Sequence, residues 1–395
     1  MSLAAQKPVM GEVDFNRSPF VVIWEVTRAC DLDCKHCRAA AIPLRDPGEL
    51  STEEGLRLTD EVLRFQETGG QPPLFVLTGG DPMKRPDIYD FISYGTDRGL
   101  TVSLSPSATP LVTRESIFRM RDCGLARMAI SLDGPDADSH DAFRQVQGSF
   151  DQTMRMILWS AEAGLPLQMH TTISRYNRHR LDELGQVMLS LPGVVMWSLF
   201  LLVPTGRGKA GDLVSAEDFE EVFNWLYDFS KKAPFDVRTT AAQHFRRVVL
   251  QRRAAEKRDA QNAPPDQPGA PRFSPKRDVA FTTPADGISR APKGVNDGNG
   301  FVFISHVGEI NPSGFLPINC GNVRTDSLVE VYRNSPVFRA LRDPNGFKGK
   351  CGVCEFRFVC GGSRARAYAI TGDYLESEPF CVYEPKRNPA AAGRR

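Results

Sequence analysis

The chain has 395 residues, and its 49 lysines and arginines are matched by 48 aspartates and glutamates, so it carries no global field to recruit nucleic acid or an anionic membrane. No run approaches the roughly 20 apolar residues of a membrane span, and residues 1–17 lack the apolar stretch of a signal peptide. A cytoplasmic protein with no nucleic-acid or membrane partner is therefore expected, with one large core and a smaller appendage.

From residue 21 to about 202, short β-branched or apolar runs alternate with amphipathic segments that end in glycine, the pattern of repeated β-α units. Six strands are expected, at 21–25, 74–77, 101–104, 128–132, 167–172 and 195–202. Between the first two, Ser51 and Glu54 make a capping box, Leu58, Val62 and Phe65 form a helical stripe, and Gly69 stops the helix. Gly99, Gly124 and Gly164 play the same stop role later. Six near-buried parallel strands with right-handed crossovers predict a partial (β/α)6 barrel over 18–215, open on one side where a bulky substrate can enter. Two helices at 217–231 and 240–257 make a helical connection over 216–258. Residues 259–299, rich in Pro, Gly and charge without an apolar period, read as a flexible linker or insertion. A small C-terminal domain at 300–385 begins with a hairpin of 301–304 and 309–311.

Seven of the nine cysteines are clustered, and in a reducing compartment such clusters bind metals rather than form disulfides. Cys30, Cys34 and Cys37 leave the first strand on one loop. Zinc suits them poorly, because a structural zinc site takes four protein ligands. A cubane cluster held by three thiolates keeps one iron open, and that iron can hold the amino and carboxylate groups of S-adenosylmethionine (SAM) for reductive cleavage. With its Cys-x3-Cys-x2-Cys spacing the segment resembles the radical SAM superfamily. The resemblance implies a SAM-binding [4Fe-4S] cluster, a 5′-deoxyadenosyl radical that removes hydrogen from substrate, and a reductant such as flavodoxin or ferredoxin. It places His36, which precedes the last cysteine, against adenine. Thr78-Gly79-Gly80-Asp81-Pro82 resembles the family's Gly-Gly-Glu-Pro motif, with Asp81 in place of glutamate; paired glycines let backbone approach a ligand, and its carbonyls can receive the SAM amino group. Ser131 and Asp133 end the fourth strand on one face, suited to ribose hydroxyls, and Arg144 occupies a position that by resemblance forks onto the SAM carboxylate. The turn 203–208, containing Pro204-Thr-Gly206-Arg207, is expected to meet adenine with its backbone. No side chain is assigned a catalytic role.

Cys351, Cys354, Cys360 and Cys381 supply four thiolates, and spacing alone leaves zinc and an iron-sulfur cluster open. The segments Cys360-Gly-Gly-Ser-Arg-Ala-Arg-Ala-Tyr and Thr371-Gly-Asp-Tyr-Leu resemble the SPASM-type extension of radical SAM enzymes, closest in motif to the branch acting in alternative heme and heme d1 biosynthesis. That implies an auxiliary [4Fe-4S] cluster and oxidative decarboxylation of a tetrapyrrole. Ser363 stands where that branch has an inner cysteine. Cys320 and Cys123 are expected to be packed thiols, His170 and His306 structural histidines, and Arg364 and Arg366 a solvated helix face. Two further readings compete: a maturase of a ribosomally made peptide, against which the short segment before the first strand weighs, and a non-catalytic iron-sulfur electron carrier, which leaves Gly79 to Pro82 unexplained.

Overall fold

Short apolar runs separated by helix-forming segments return to one sheet as parallel neighbours, because each helical crossover carries the chain back to the same end. In this computed structural model, which describes residues 14–70, 72–262, 288 and 294–386, the strands are β1 (Val21–Thr27), β2 (Leu74–Gly79), β3 (Thr101–Leu104), β4 (Arg127–Ser131), β5 (Leu167–Ile173), β6 (Val194–Leu201), β7 (Asp236–Thr240), β8 (Phe301–Ile304) and β9 (Ile310–Asn311). The helices are α1 (Thr52–Glu67), α2 (Ile88–Asp97), α3 (Arg114–Asp122), α4 (Ala137–Arg144), α5 (Ser149–Ala163), α6 (Leu181–Ser190), α7 (Ala216–Ser230), α8 (Phe245–Asn262), α9 (Leu328–Asn334), α10 (Pro336–Arg342), α11 (Gly349–Val353) and α12 (Arg364–Thr371). The sheet runs β7-β6-β5-β4-β3-β2-β1-β8-β9, and β9 alone is antiparallel to its neighbour. Its edges β7 and β9 are not joined, so it is the open, mostly parallel α/β sheet of a partial barrel.

The six strands expected from sequence are present with ends within two residues of those expected. Two more parallel strands lengthen the sheet. β7 lies inside the segment expected to be a helical connection; Asp236 and Arg238 mask its alternation, and pairing with β6 (Trp197 opposite Val237) makes it a strand. β8 pairs with β1 from Val21 opposite Phe301 to Trp24 opposite Ile304, so the segment that begins at residue 300 contributes a strand to the main sheet.

Ser51 caps α1 and exchanges bonds with Glu54, while Leu58, Val62 and Phe65 point into the core and Gly69 takes a left-handed φ of 80° after the last turn. There Trp24 meets Phe91 edge-on at 4.8 Å between centroids, an arrangement that adds to the area both rings bury. Both ends of the linker expected at 259–299 are instead structured. α8 continues to Asn262, and 296–299 form a buried turn in which Asn296 donates to Gly362 O (2.9 Å) while Asp297 accepts from Ala365 N (3.0 Å). The stretch between 263 and 293, save residue 288, lies outside the described residues. Among the described residues no helix is long and apolar enough to cross a membrane.

One ion pair ties the C-terminal segment back to α1. Arg324 Nε donates to Glu54 Oε1 at 2.7 Å and Nη2 to Gly48 O at 3.0 Å. The Arg324 bond is the main reason that Glu54 titrates at about 2. Because its folded pKa lies below the unfolded one, the pair stabilises above roughly pH 4.3 and its contribution fades as pH falls toward 2. Arg324→Ala should therefore lower the thermal midpoint more at pH 7 than at pH 2.5, which scans across that window will read.

Candidate functional site

The first cysteine loop and the motifs expected to serve it gather where β1, β2, β3, β4 and β6 end. The chain leaves β1 through Thr27 and turns back at 42, where Cys30 N donates to Ile42 O (2.9 Å) and Ile42 N to Arg28 O (3.0 Å). Arg28 closes the loop from within, donating to Ala39 O (2.9 Å) and Ala40 O (2.8 Å). Inside it Cys30, Cys34 and Leu32 are buried and Cys37 packs beside them. Leu32 N points at Cys30 Sγ (3.3 Å), Ala41 N at Cys37 Sγ (3.4 Å) and Arg144 Nη1 at Cys34 Sγ (3.5 Å). Burial pushes the Cys30 thiol up to about 11 and raises Cys34 as well. Such thiols ionise when a metal offers the compensating charge.

The flanking motifs brace this loop. A Cβ on Gly79 would stand 2.5 Å from Thr27 O, and one on Gly80 2.5 Å from both Arg28 O and Ala29 O, so the paired glycines allow the loop after β2 to lie on the cysteine loop. Gly80 N donates to Thr27 O (2.7 Å) and Asp81 N to Ala29 O (2.6 Å). Asp81 is fully buried and its carboxylate accepts from Thr109 Oγ1 (2.6 Å), Met83 N (3.1 Å) and Ser107 N (3.3 Å), joining the β2 and β3 loops; Pro82 opens the short 3-10 turn that follows. The turn after β6 braces the loop from the other side. Gly206, at a φ of 64°, sits where a Cβ would be 2.3 Å from Arg38 O and 2.4 Å from Cys37 O. Arg207 donates to Cys37 O through its backbone (2.9 Å) and to Cys34 O through Nε (3.0 Å). Gly206→Ala should cost about 1–2 kcal/mol from the left-handed backbone alone and more from overlap with the two carbonyls. Reconstituted iron and the thermal midpoint of the variant, compared with Gly208→Ala, will check this.

At the end of β4, Asp133 is buried, binds Arg144 through Oδ2 and accepts from Thr172 N through Oδ1 (2.6 Å). Both oxygens have partners within the protein, and through Oδ2 Asp133 positions Arg144 beside Cys34. Ser131 ends β4 opposite His170 on β5. His36 stacks on Phe143 (4.5 Å, 13°), and burial lowers its pKa to about 4, so the ring is neutral. Its Nδ1 is buried without a hydrogen-bond partner.

Sequence reading missed the network behind the loop. Arg38 binds Glu25 at 2.6 Å and lies over Phe303 on β8, while His306 Nδ1 meets Glu25 Oε1 at 3.0 Å. Burial would raise Glu25, but Arg38 and His306 outweigh it and hold the carboxyl below its usual range. The only signal was Arg38 directly after Cys37; a glutamate within an apolar strand had no visible partner, because His306 is 281 positions away.

The second cysteine set also converges. Cys351, Cys354, Cys360 and Cys381 line one cavity. Glu378 N points at Cys351 Sγ (3.3 Å), Phe356 N at Cys354 Sγ (3.4 Å) and Gly362 N at Cys360 Sγ (3.4 Å). Burial pushes Cys360 up to about 12. Cys320 is elsewhere, packed on the main core with Sγ toward Ile318 O (3.4 Å), and Cys123 caps α3. Ser363 caps α12 through its hydroxyl, which accepts from Arg366 N (3.1 Å). Arg364 and Arg366 are fully buried, which overturns the solvated-face reading: Arg366 pairs with Glu378 (3.2 Å) and Arg364 donates to Glu376 O (2.7 Å). Helical spacing could not reveal that the loop 372–380 folds over them.

Among the described residues no three Cys, His, Asp or Glu side chains are placed to hold one metal ion. Three sulfurs share one pocket and four line another, donor sets of the soft thiolate kind that iron-sulfur clusters and zinc both take. The orphaned His36 Nδ1 beside the three-thiol loop adds a polar group awaiting a ligand.

Comparison with known proteins agrees. The family model described as the radical SAM superfamily matches residues 24–187. Over 369 residues the chain is 43 % identical to an AdoMet-dependent heme synthase of Nitratidesulfovibrio vulgaris, covering 93 % of each chain. It is 37 % identical over 373 residues to an AdoMet-dependent heme synthase of Methanosarcina barkeri, covering 94 % of this chain and 99 % of that one. Streptococcus suis SuiB bound to S-adenosylmethionine shares the fold with a TM-score of 0.63 at 14 % identity, over 93 % of this chain and 78 % of SuiB.

Proposed function

Because the chain belongs to the radical SAM superfamily, we propose that it removes carbon dioxide oxidatively from the propionate groups of a tetrapyrrole, with Cys30, Cys34 and Cys37 holding a [4Fe-4S] cluster and Cys351, Cys354, Cys360 and Cys381 an auxiliary one. When bound, the first cluster and SAM supply the electron and the hydrogen-abstracting radical that side chains cannot. The chain's own part is to position and to exclude. Gly79, Gly80 and Gly206 hold the cysteine loop between two strand-end turns, Arg144 faces Cys34 from its pairing with Asp133, and the neutral His36 offers a ring face and an unpaired nitrogen to adenine. Ser131 remains assigned to the ribose.

Removing a hydrogen atom and then carbon dioxide leaves one electron on the product, which needs an acceptor. The four-thiol cavity is where such a group fits, with Arg246 and Arg247 near its cysteines to offset the negative charge of a fully thiolate-ligated cluster. A small acidic redox protein of the flavodoxin or ferredoxin type would supply the reducing electron.

The observation that carries the reading is the three-thiol loop clamped from both sides by glycine-dependent contacts. The heme-synthase relatives, matched over nearly the whole chain, favour a tetrapyrrole over a peptide. Anaerobically reconstituted protein incubated with SAM, a reductant and a propionate-bearing iron porphyrin should yield product lighter by one carbon dioxide and two hydrogens for each propionate converted, with 5′-deoxyadenosine formed in step. Deoxyadenosine with no loss of carboxyl groups would sink the substrate assignment.

A further inference from the structure

His244 lies just before α8, is 1 % exposed, and lines the cavity of Cys351, Cys354, Cys360 and Cys381. Neither ring nitrogen has a hydrogen-bond partner. Phe223 stands perpendicular to it at 4.6 Å between centroids and Phe219 at 6.2 Å, while Arg247, Arg366 and Glu378 are the charged groups that act on the ring. The nearest carboxylate, Glu378, spends its oxygens on Ser363 N (2.9 Å), Arg366 (3.2 Å) and Phe380 N (3.1 Å). Burial keeps the ring neutral, with a pKa near 3, so it carries one N–H donor and one lone pair. Two polar nitrogens buried with no partner are costly unless something in the cavity satisfies at least one.

The placement is built. Ala241, three residues before His244, is held at a φ of 53°, a left-handed conformation unfavourable for a residue with a Cβ. Its carbonyl is gripped by Arg366, which also reaches Leu202 O (3.3 Å) at the end of β6. One buried arginine on the cysteine-bearing segment thus fixes the turn that delivers His244 from the sheet into the cysteine cavity.

We propose that His244 donates an N–H hydrogen bond to a sulfur of the iron-sulfur group held by Cys351, Cys354, Cys360 and Cys381, and that this bond raises the group's reduction potential. The proposal rests on the auxiliary-cluster reading given above. A hydrogen bond to sulfur stabilises the more negative, reduced state, and such bonds are among the means by which proteins tune these centres. His244 acts here as a positioning residue, without contact to substrate.

The test uses full-length, anaerobically reconstituted protein carrying Cys30→Ala, Cys34→Ala and Cys37→Ala, so that any cluster signal comes from the four-cysteine site. In an EPR-monitored redox titration, His244→Leu should lower the reduced-to-oxidised ratio at the parent's midpoint roughly tenfold, about 59 mV for a one-electron couple. His244→Gln, which keeps an N–H, should return the midpoint toward the parent's. An unchanged midpoint in His244→Leu overturns the role of His244 alone, whereas an iron-free parent background overturns the auxiliary-cluster reading and this proposal together. Pulsed EPR on the unsubstituted side chain, labelled with 15N-histidine, is independent of how the variants fold. Weak nitrogen coupling supports the hydrogen bond; strong coupling, as for a directly bound ligand, or none at all, overturns it.

Discussion

Cys34→Ala should end SAM cleavage while leaving one cluster in place. Cys34 is buried among its two partner thiols, with Arg144 Nη1 directed at its sulfur. Alanine removes a metal-binding thiolate and leaves that guanidinium, anchored by Asp133, facing a methyl group. Two thiolates cannot hold a cube open at one iron, so reconstituted iron should fall from about eight to about four atoms per chain. The loss of deoxyadenosine formation should exceed the roughly 10–100-fold typical when a supporting residue around a metal site is removed, and Arg207→Ala, which loses the bond to Cys34 O, belongs in that milder class. Iron analysis and product quantification on the same samples separate the two. Parent-level deoxyadenosine from Cys34→Ala would refute the three-cysteine site.

The largest stability effect outside the cysteines is expected from Arg366→Ala. Arg366 and Glu378 are 0 % and 1 % exposed at the side chain, and the arginine also supplies donors to Leu201 O, Leu202 O and Ala241 O. Breaking a buried pair by removing one member leaves the other charge uncompensated and costs about 3–5 kcal/mol. In the parent, burial would raise Glu378 and Arg366 outweighs it, holding the carboxyl below its usual range. Without the arginine the balance reverses: the folded pKa rises above the unfolded value, so the variant should regain stability relative to the parent as pH is lowered from 7 to 5. Denaturant unfolding at both values measures this, and iron at the four-cysteine site should fall with it, because Ser363 N and Phe380 N both bind Glu378. A deficit that is the same at pH 5 and pH 7 would show that Glu378 does not carry the cost.

Local patterns carried much of this. The capping box at Ser51 and the alternating strands from 21 to 201 could be read directly, since periodicity and caps depend on neighbours a few positions apart. The cysteine spacings were equally visible. The same reasoning did not show that Gly79, Gly80 and Gly206 lie against the cysteine loop's own backbone. It misjudged Arg364 and Arg366 for a related cause: a helix of eight residues exposes whichever side nothing covers, and the covering loop comes later in the chain.

By itself, then, the amino-acid order determined the parallel β-α repeat, the two thiol sets and the class of chemistry they serve, because each is written in residues close together. Tertiary structure alone decided that β8 completes the sheet beside β1, that Glu25 is shared by Arg38 and His306, and that His244 faces the four-cysteine cavity. Those are contacts between segments tens to hundreds of residues apart. Their partners are chosen by packing and by the cost of leaving buried charge and polar nitrogen unsatisfied, which no local pattern encodes.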